Sequence, residues 1–240
     1  MTRLARTLAV AAVVVAAVAA AACTRAGGGQ TGGPSNQPEP SPAPTASYDR
    51  IALTPEQFWA RLYSGDPEAV NYPALADMFK DSDAVVLGSF AAVTAGPDSV
   101  AGANSTNFML TVTVTVDRVL HGSLPAGATS VPIAVFLGVG ATGAADPYAA
   151  LIANRAASMP HERGVFLLQN LVAYYSRFDP SASQRYDPTV YQVASVQGLI
   201  RDARGTAWVP DQTPGNWATA LGGRPFETIL TDLSAAADSQ

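Results

Sequence analysis

The chain has 240 residues, 14 basic and 19 acidic, for a formal charge of −5, and a single cysteine. The acidic balance argues against a nucleic-acid partner and against adhesion to anionic lipid by charge alone. One cysteine excludes an intramolecular disulfide and a cysteine-built metal site.

Residues 1–6, MTRLAR, bring Arg3 and Arg6 and no acid, and residues 7–22, TLAVAAVVVAAVAAAA, are apolar apart from Thr7. A basic start, an apolar core and a small-residue end read as an export signal. The core is short and alanine-rich for a stretch that must cross about 30 Å of hydrocarbon. Ala20-Ala21-Ala22-Cys23 resembles the bacterial lipobox, with Ala20 where that motif prefers leucine. The resemblance implies a diacylglyceryl group on Cys23, cleavage before it, and a mature protein held on the extracytoplasmic face of the cell membrane. Two acyl chains suffice for stable anchoring. The chain from Cys23 on carries 12 basic and 19 acidic residues, a formal −7.

Residues 24–47, TRAGGGQTGGPSNQPEPSPAPTAS, lack the apolar surface to offset ordering entropy, so 23–47 is expected to be a lipidation site followed by a disordered linker. Residues 48–240 are expected to form one globular domain. Thr54-Pro55-Glu56-Gln57 is a helix start, with Thr54 as N-cap, Pro55 at the first position and Gln57 closing a capping box. Phe58, Leu62 and Trp59 would face the core. A second helix is expected over 73–80, with Leu75, Met78 and Phe79 inward.

From residue 83 the hydrophobic period changes to two. Strands are expected over 83–93, 107–120, 130–138, 164–174, 189–200 and 206–210, with a turn at 122–127. In NFMLTVTVTVDRVL (107–120), Phe108, Leu110, Val112, Val114 and Val116 share one face and Met109, Thr111, Thr113 and Thr115 the other, the signature of a half-buried strand. At the end, Phe226, Ile229, Leu230 and Leu233 follow helical spacing within 224–237. The expected class is mainly β (α+β): a five- or six-stranded antiparallel OB-like barrel with flanking N- and C-terminal helices.

The order "SDAVVLGSF", "VDRVLHGSLPAG", "SVPIAVFL", "HERGVFLLQ" over 82–200 resembles actinobacterial-type exported lipoproteins with an OB-like, netrin-like barrel domain. That group has no assigned activity. Metalloproteinase inhibitors of similar architecture act through a disulfide-held N-terminal cysteine. Cys23 has no partner, so that mechanism does not carry over.

Catalytic signals are sparse. His161-Glu162-Arg163 precedes a strand, but HExxH is absent because Val165 stands at the second histidine position. His121 falls at a strand end. Gly138-Val-Gly-Ala-Thr-Gly143 has GxGxxG spacing without a βαβ continuation, and there is no GxSxG elbow. Asp81 and Asp83 read as caps. No catalytic residue, cofactor or metal is therefore expected.

LVAYYSRFDPSASQRYDPTVY (171–191) gathers Tyr174, Tyr175, Arg177, Phe178 and Tyr186, with Arg185 and Tyr191. Tyr and Arg are favoured at binding surfaces. The segment is either a recognition loop or a loop packing its aromatics back on the sheet. Trp208 and Trp217 are expected to pack under the C-terminal segment. The expected function is a lipid-anchored binding or interaction module without catalytic activity. Its partner would be an envelope protein or glycan. The alternatives are an envelope hydrolase or its regulator, and an apolar-ligand carrier.

Overall fold

The computed structural model describes residues 52–63, 71–96, 99–102, 104–141 and 148–238. Cys23, the export signal and the linker lie outside the described residues.

Helix α1 (Pro55–Ala60) starts as its sequence requires: Gln57 N–H donates to Thr54 Oγ1 at 3.2 Å and Thr54 N–H donates to Gln57 Oε1 at 3.0 Å. Helix α2 (Leu75–Asp81) follows. Strands β1 (Ala84–Ala95), β2 (Ser99–Gly102), β3 (Ser105–Gly122) and β4 (Ser130–Ala141) run next. After β4 comes helix α3 (Ala149–Ala157), then β5 (Arg163–Asn170), α4 (Leu171–Tyr175), α5 (Ala182–Arg185) and β6 (Tyr191–Val193). The chain ends with β7 (Leu199–Ala203), β8 (Thr206–Trp208) and α6 (Phe226–Asp238).

The strands join one sheet in the order β1-β3-β4-β6-β5-β7-β8, with β2 beside β3. β1 also pairs with β5, so β1, β3, β4, β6 and β5 form a closed ring. Three register shifts in the β1–β3 pairing bend the long strands enough to reach both neighbours. A side chain on Gly88, at one of these shifts, would collide with the backbone of Thr115.

Four expectations are corrected. The sheet is mixed, not wholly antiparallel: β4 and β6 run parallel at Ile133 and Tyr191. The reason is parity. Five strands cannot alternate direction all the way round a ring, so at least one adjacent pair must be parallel. The strand expected over 164–174 ends at Asn170, where the Asn170 side chain accepts from Ala173 N–H at 3.1 Å and starts α4. The strand expected over 189–200 is two strands separated by a 3-10 turn at Val196–Gly198, capped by Ser195. Lastly, a helix, α3, stands between β4 and β5, where none was expected.

The ring interior is filled. Val86 and Phe90 of β1, Leu110, Val112 and Val114 of β3, Val131, Ile133 and Val135 of β4, and Phe166 and Leu168 of β5 form one buried cluster. Helix α1 adds Phe58, Trp59 and Leu62, and α3 adds Ile152. Trp59 stacks on Phe166 at 5.1 Å and tilts against Phe90 at 4.7 Å. Gly164 makes room for it, since a Cβ there would strike the indole. A second cluster lies outside β1 and β5, where Val85, Leu87, Val165 and Leu167 meet Met78 and Phe79 of α2 and Phe226, Ile229 and Leu233 of α6. These two strands are covered on both faces, whereas β3 buries one, as its alternation predicts.

Candidate functional site

The segment between β5 and β6 is tied at both ends. Leu171 N–H donates to Val190 O at 3.0 Å, and Asn170 Nδ2 donates to Pro188 O at 2.7 Å. Asp179 accepts from the backbone N–H and hydroxyl of Ser181 and pairs with Arg185. Asp187 accepts from Thr189 N–H and Oγ1, bonds that hold its carboxyl below the usual range. These local bonds give a long connection a fixed shape, and such connections are often functional.

Its aromatic side chains form a graded series. Tyr186 stacks on Tyr175 with ring centres 4.7 Å apart. Both pack on a small buried cluster of Leu171, Val190 and Ala134, against which Met109 of β3 also packs, with Ala134 on the outer face of β4. Tyr174 sets its ring edge-on to Tyr175 at 5.1 Å and to Phe178 at 5.6 Å. Phe178 is 73% exposed, and Arg177 beside it is also exposed. The structure thus gathers Tyr174, Tyr175, Phe178 and Tyr186 into one shelf. Tyr175 and Tyr186 are its footing; Tyr174, Arg177 and Phe178 are its rim.

A polar network crosses the outer face of the neighbouring strands. Tyr72 donates to Asp81 Oδ2 at 3.1 Å, Gln169 Nε2 donates to the Tyr72 hydroxyl at 3.3 Å, and Gln192 Nε2 donates to Gln169 Oε1 at 3.4 Å. Burial first, then the Asp81 charge, pushes the Tyr72 phenol up to about 12, and Arg177 opposes part of that rise. Gln197 clamps the Tyr72 backbone from both sides, and Trp217 Nε1 donates to Tyr72 O at 3.1 Å. Sequence reading missed this network; its only signal is the glutamines at strand positions, Gln169 and Gln192.

The His161-Glu162-Arg163 motif resolves into two ion-pair clusters on opposite sides of β5. Glu162 faces Arg201, whose Nη2 lies 3.4 Å away, and Arg201 Nη1 donates to Glu56 Oε1 of α1 at 2.5 Å. Arg201 is buried over the Trp208 ring. Arg163 turns the other way, to Asp202 at 2.9 Å and to Glu227 of α6, above the Phe226 ring. His161 itself is exposed on a cleft of about 430 Å³ with Pro55, Pro160 and Glu162. Alternation along the strand sends Glu162 and Arg163 to different partners, so the three residues do not converge.

His121 packs edge-on to Phe79 at 5.0 Å. Asp81 serves Tyr72, and Asp83 accepts from Asn170 N–H at 2.7 Å, so the two carboxylates share no site. Gly138 lies at a β4 register shift, where a side chain would strike the Tyr148 hydroxyl, and residues 142–147 lie outside the described residues. Among the described residues, no group of three or more His, Cys, Asp and Glu is arranged to hold a metal. No family model, curated protein or solved structure matches the chain.

Proposed function

We propose that this chain is a lipid-anchored extracytoplasmic binding module that recognises a cell-envelope glycan or protein through the rim of the aromatic shelf. The observation that carries the reading is Phe178, 73% exposed and held against Tyr174 on a stacked tyrosine pair. A large ring kept in water by a fixed support is costly unless a partner covers it, and pre-organised aromatics lose little entropy on binding.

The ring reads as an OB-like barrel. Supporting this are the strand order, the parallel pair that closes it, and a helix between its third and fourth strands, β4 and β5. Barrels of that kind bind oligosaccharides and oligonucleotides on the face of their second and third strands and on the connection between the fourth and fifth. Here those are β3, β4 and the 171–190 segment resting on them. The net charge of −5 weighs against an oligonucleotide. The filled interior favours surface recognition over carriage of an apolar ligand inside. Membrane attachment rests on the lipobox-like run ending at Cys23.

The test is retention on the immobilised full chain of fragmented envelope glycans and, separately, of detergent-solubilised envelope proteins. Tyr174→Ser with Phe178→Ser should lower retention roughly ten-fold or more, the scale of an interface hot spot, and leave the unfolding midpoint unchanged. Equal retention by variant and wild type would overturn the reading.

A further inference from the structure

The strands beneath the aromatic shelf carry no charge of their own. Strands β1 and β4, and β3 as far as Val116, contain no Asp, Glu, Lys, Arg or His. A sheet face open to water is ordinarily dotted with charged side chains. Here the outward positions hold threonines: Thr94 stands opposite Thr111 in the β1–β3 pairing and Thr113 follows, all of them exposed or half-exposed. The large apolar side chains exposed among the described residues are Val119, Phe136, Val139 and Phe178. Two of them continue this face along β4. Phe136, 42% exposed, stands opposite Met109, and Val139, 58% exposed, stands opposite Asn107. Met109 packs against the buried cluster that also seats Tyr175 and Tyr186. Tyr174 leans on Tyr175 and Phe178 on Tyr174. The two exposed phenylalanines are thus joined through one footing.

Hydroxyls and exposed rings without charge suit a ligand that is itself uncharged, hydroxylated and apolar on its flat sides. We propose that the shelf is one end of a longer surface, continued by Thr111, Thr113, Phe136 and Val139, that binds a neutral glycan chain lying across β3 and β4; this rests on the reading of the shelf as a recognition surface. The C–H faces of a sugar ring, slightly positive, lie against the negative faces of aromatic rings. Its hydroxyls exchange hydrogen bonds with those of threonine, which both donate and accept. A polyanion would find Arg177 at the rim and no cation on the three strands. A protein partner is steered and set in register by complementary charge, and these strands offer none. Phe178 reaches the footing through Tyr174, and Phe136 stands across from Met109, so one sugar does not cover both rings and the ligand is a chain of several.

The experiment passes size-sorted envelope glycan fragments, cleared of phosphate- and carboxylate-bearing material by anion exchange, over the immobilised full chain. Wild type should retain them, more strongly as the fragments lengthen and equally at low and high salt, because no ion pair is involved. Phe136→Ser with Val139→Ser should lower retention of the longer fragments roughly five-fold or more and leave the unfolding midpoint unchanged. No retention of neutral fragments, retention that falls as salt rises, or retention that does not grow beyond a single sugar would overturn the proposal. So would capture of solubilised envelope protein in their place. The length and salt readouts use wild type alone, so they decide even if a serine in β4 lowers the midpoint. The two readings fail separately. If Tyr174→Ser with Phe178→Ser abolishes retention and the β4 pair leaves it intact, the shelf binds and the longer surface is wrong. If neither pair lowers retention, the shelf reading fails with it.

Discussion

Val112 and Thr113 are neighbours in β3 with opposite surroundings. Val112 is buried inside the ring with Leu110 and Val114, while Thr113 sits half-exposed on the outer face. Leu110→Ala should cost about 2–5 kcal/mol, the range for a buried leucine cut back to a methyl group. Val112→Asp should prevent folding because it buries an unpaired carboxylate, and Thr113→Asp should fold. Denaturant titration of the three variants checks this, and equal damage from both aspartates would contradict a one-sided strand. Glu56 offers a pH-dependent counterpart. The Arg201 hydrogen bond holds its carboxyl below the ordinary 4.5. A folded-state value below the unfolded one means that the stabilisation is present above about pH 4.5 and is lost as pH falls through the folded value. Glu56→Gln should therefore melt below wild type at neutral pH, and the gap should close on acidification. A gap that stays constant down to about pH 3 would show that the pair contributes nothing through charge.

At the scale of elements, the connection between β5 and β6 combines packing and display, and substitution should separate them. Tyr186→Ala removes the ring stacked on Tyr175 above Met109 and Ala134, so it should lower the unfolding midpoint. Phe178→Ser should not. Asn170→Ala deletes the α4 cap and the bond to Pro188. It should cost about 1 kcal/mol and speed amide exchange across 171–190. If Tyr186→Ala is silent and Phe178→Ser destabilises, footing and rim are assigned the wrong way round. What sequence could reveal here depended on range. The α1 capping box was legible because Thr54 and Gln57 are local partners, and β3 because burying one face imposes alternation. The end of β5 was not, because LVAY suits strand and helix equally and a single Asn170 side chain decides. Helix α3 was missed because AALIANRAA is mostly alanine and marks its buried face with little more than Ile152. The aromatic cluster was visible as composition. Which rings would be footing was not, since that depends on Met109 and Ala134 arriving from distant strands. The same holds for Arg201, whose partner Glu56 lies 145 positions away.

For the whole molecule, five strands close on a filled interior and the aromatic shelf rests on their outer face; in the proposed reading that surface meets the partner and a lipid on Cys23 would set where it works. The mature protein should begin at Cys23 carrying a diacylglyceryl group, and Cys23→Ser should abolish acyl labelling. Intact mass of the protein recovered from membranes checks both, and an unmodified Cys23 or retention of residues 1–22 would remove the anchoring claim. The central claim is that the shelf rim meets a partner in the envelope. Its most direct test places a photoreactive aromatic residue at position 178 of the full chain in intact cells. A second variant carries it at position 235, an exposed alanine of α6. Irradiation should give a discrete adduct, glycan or protein, from position 178 and none from position 235. Matching yields from the two positions would contradict the account.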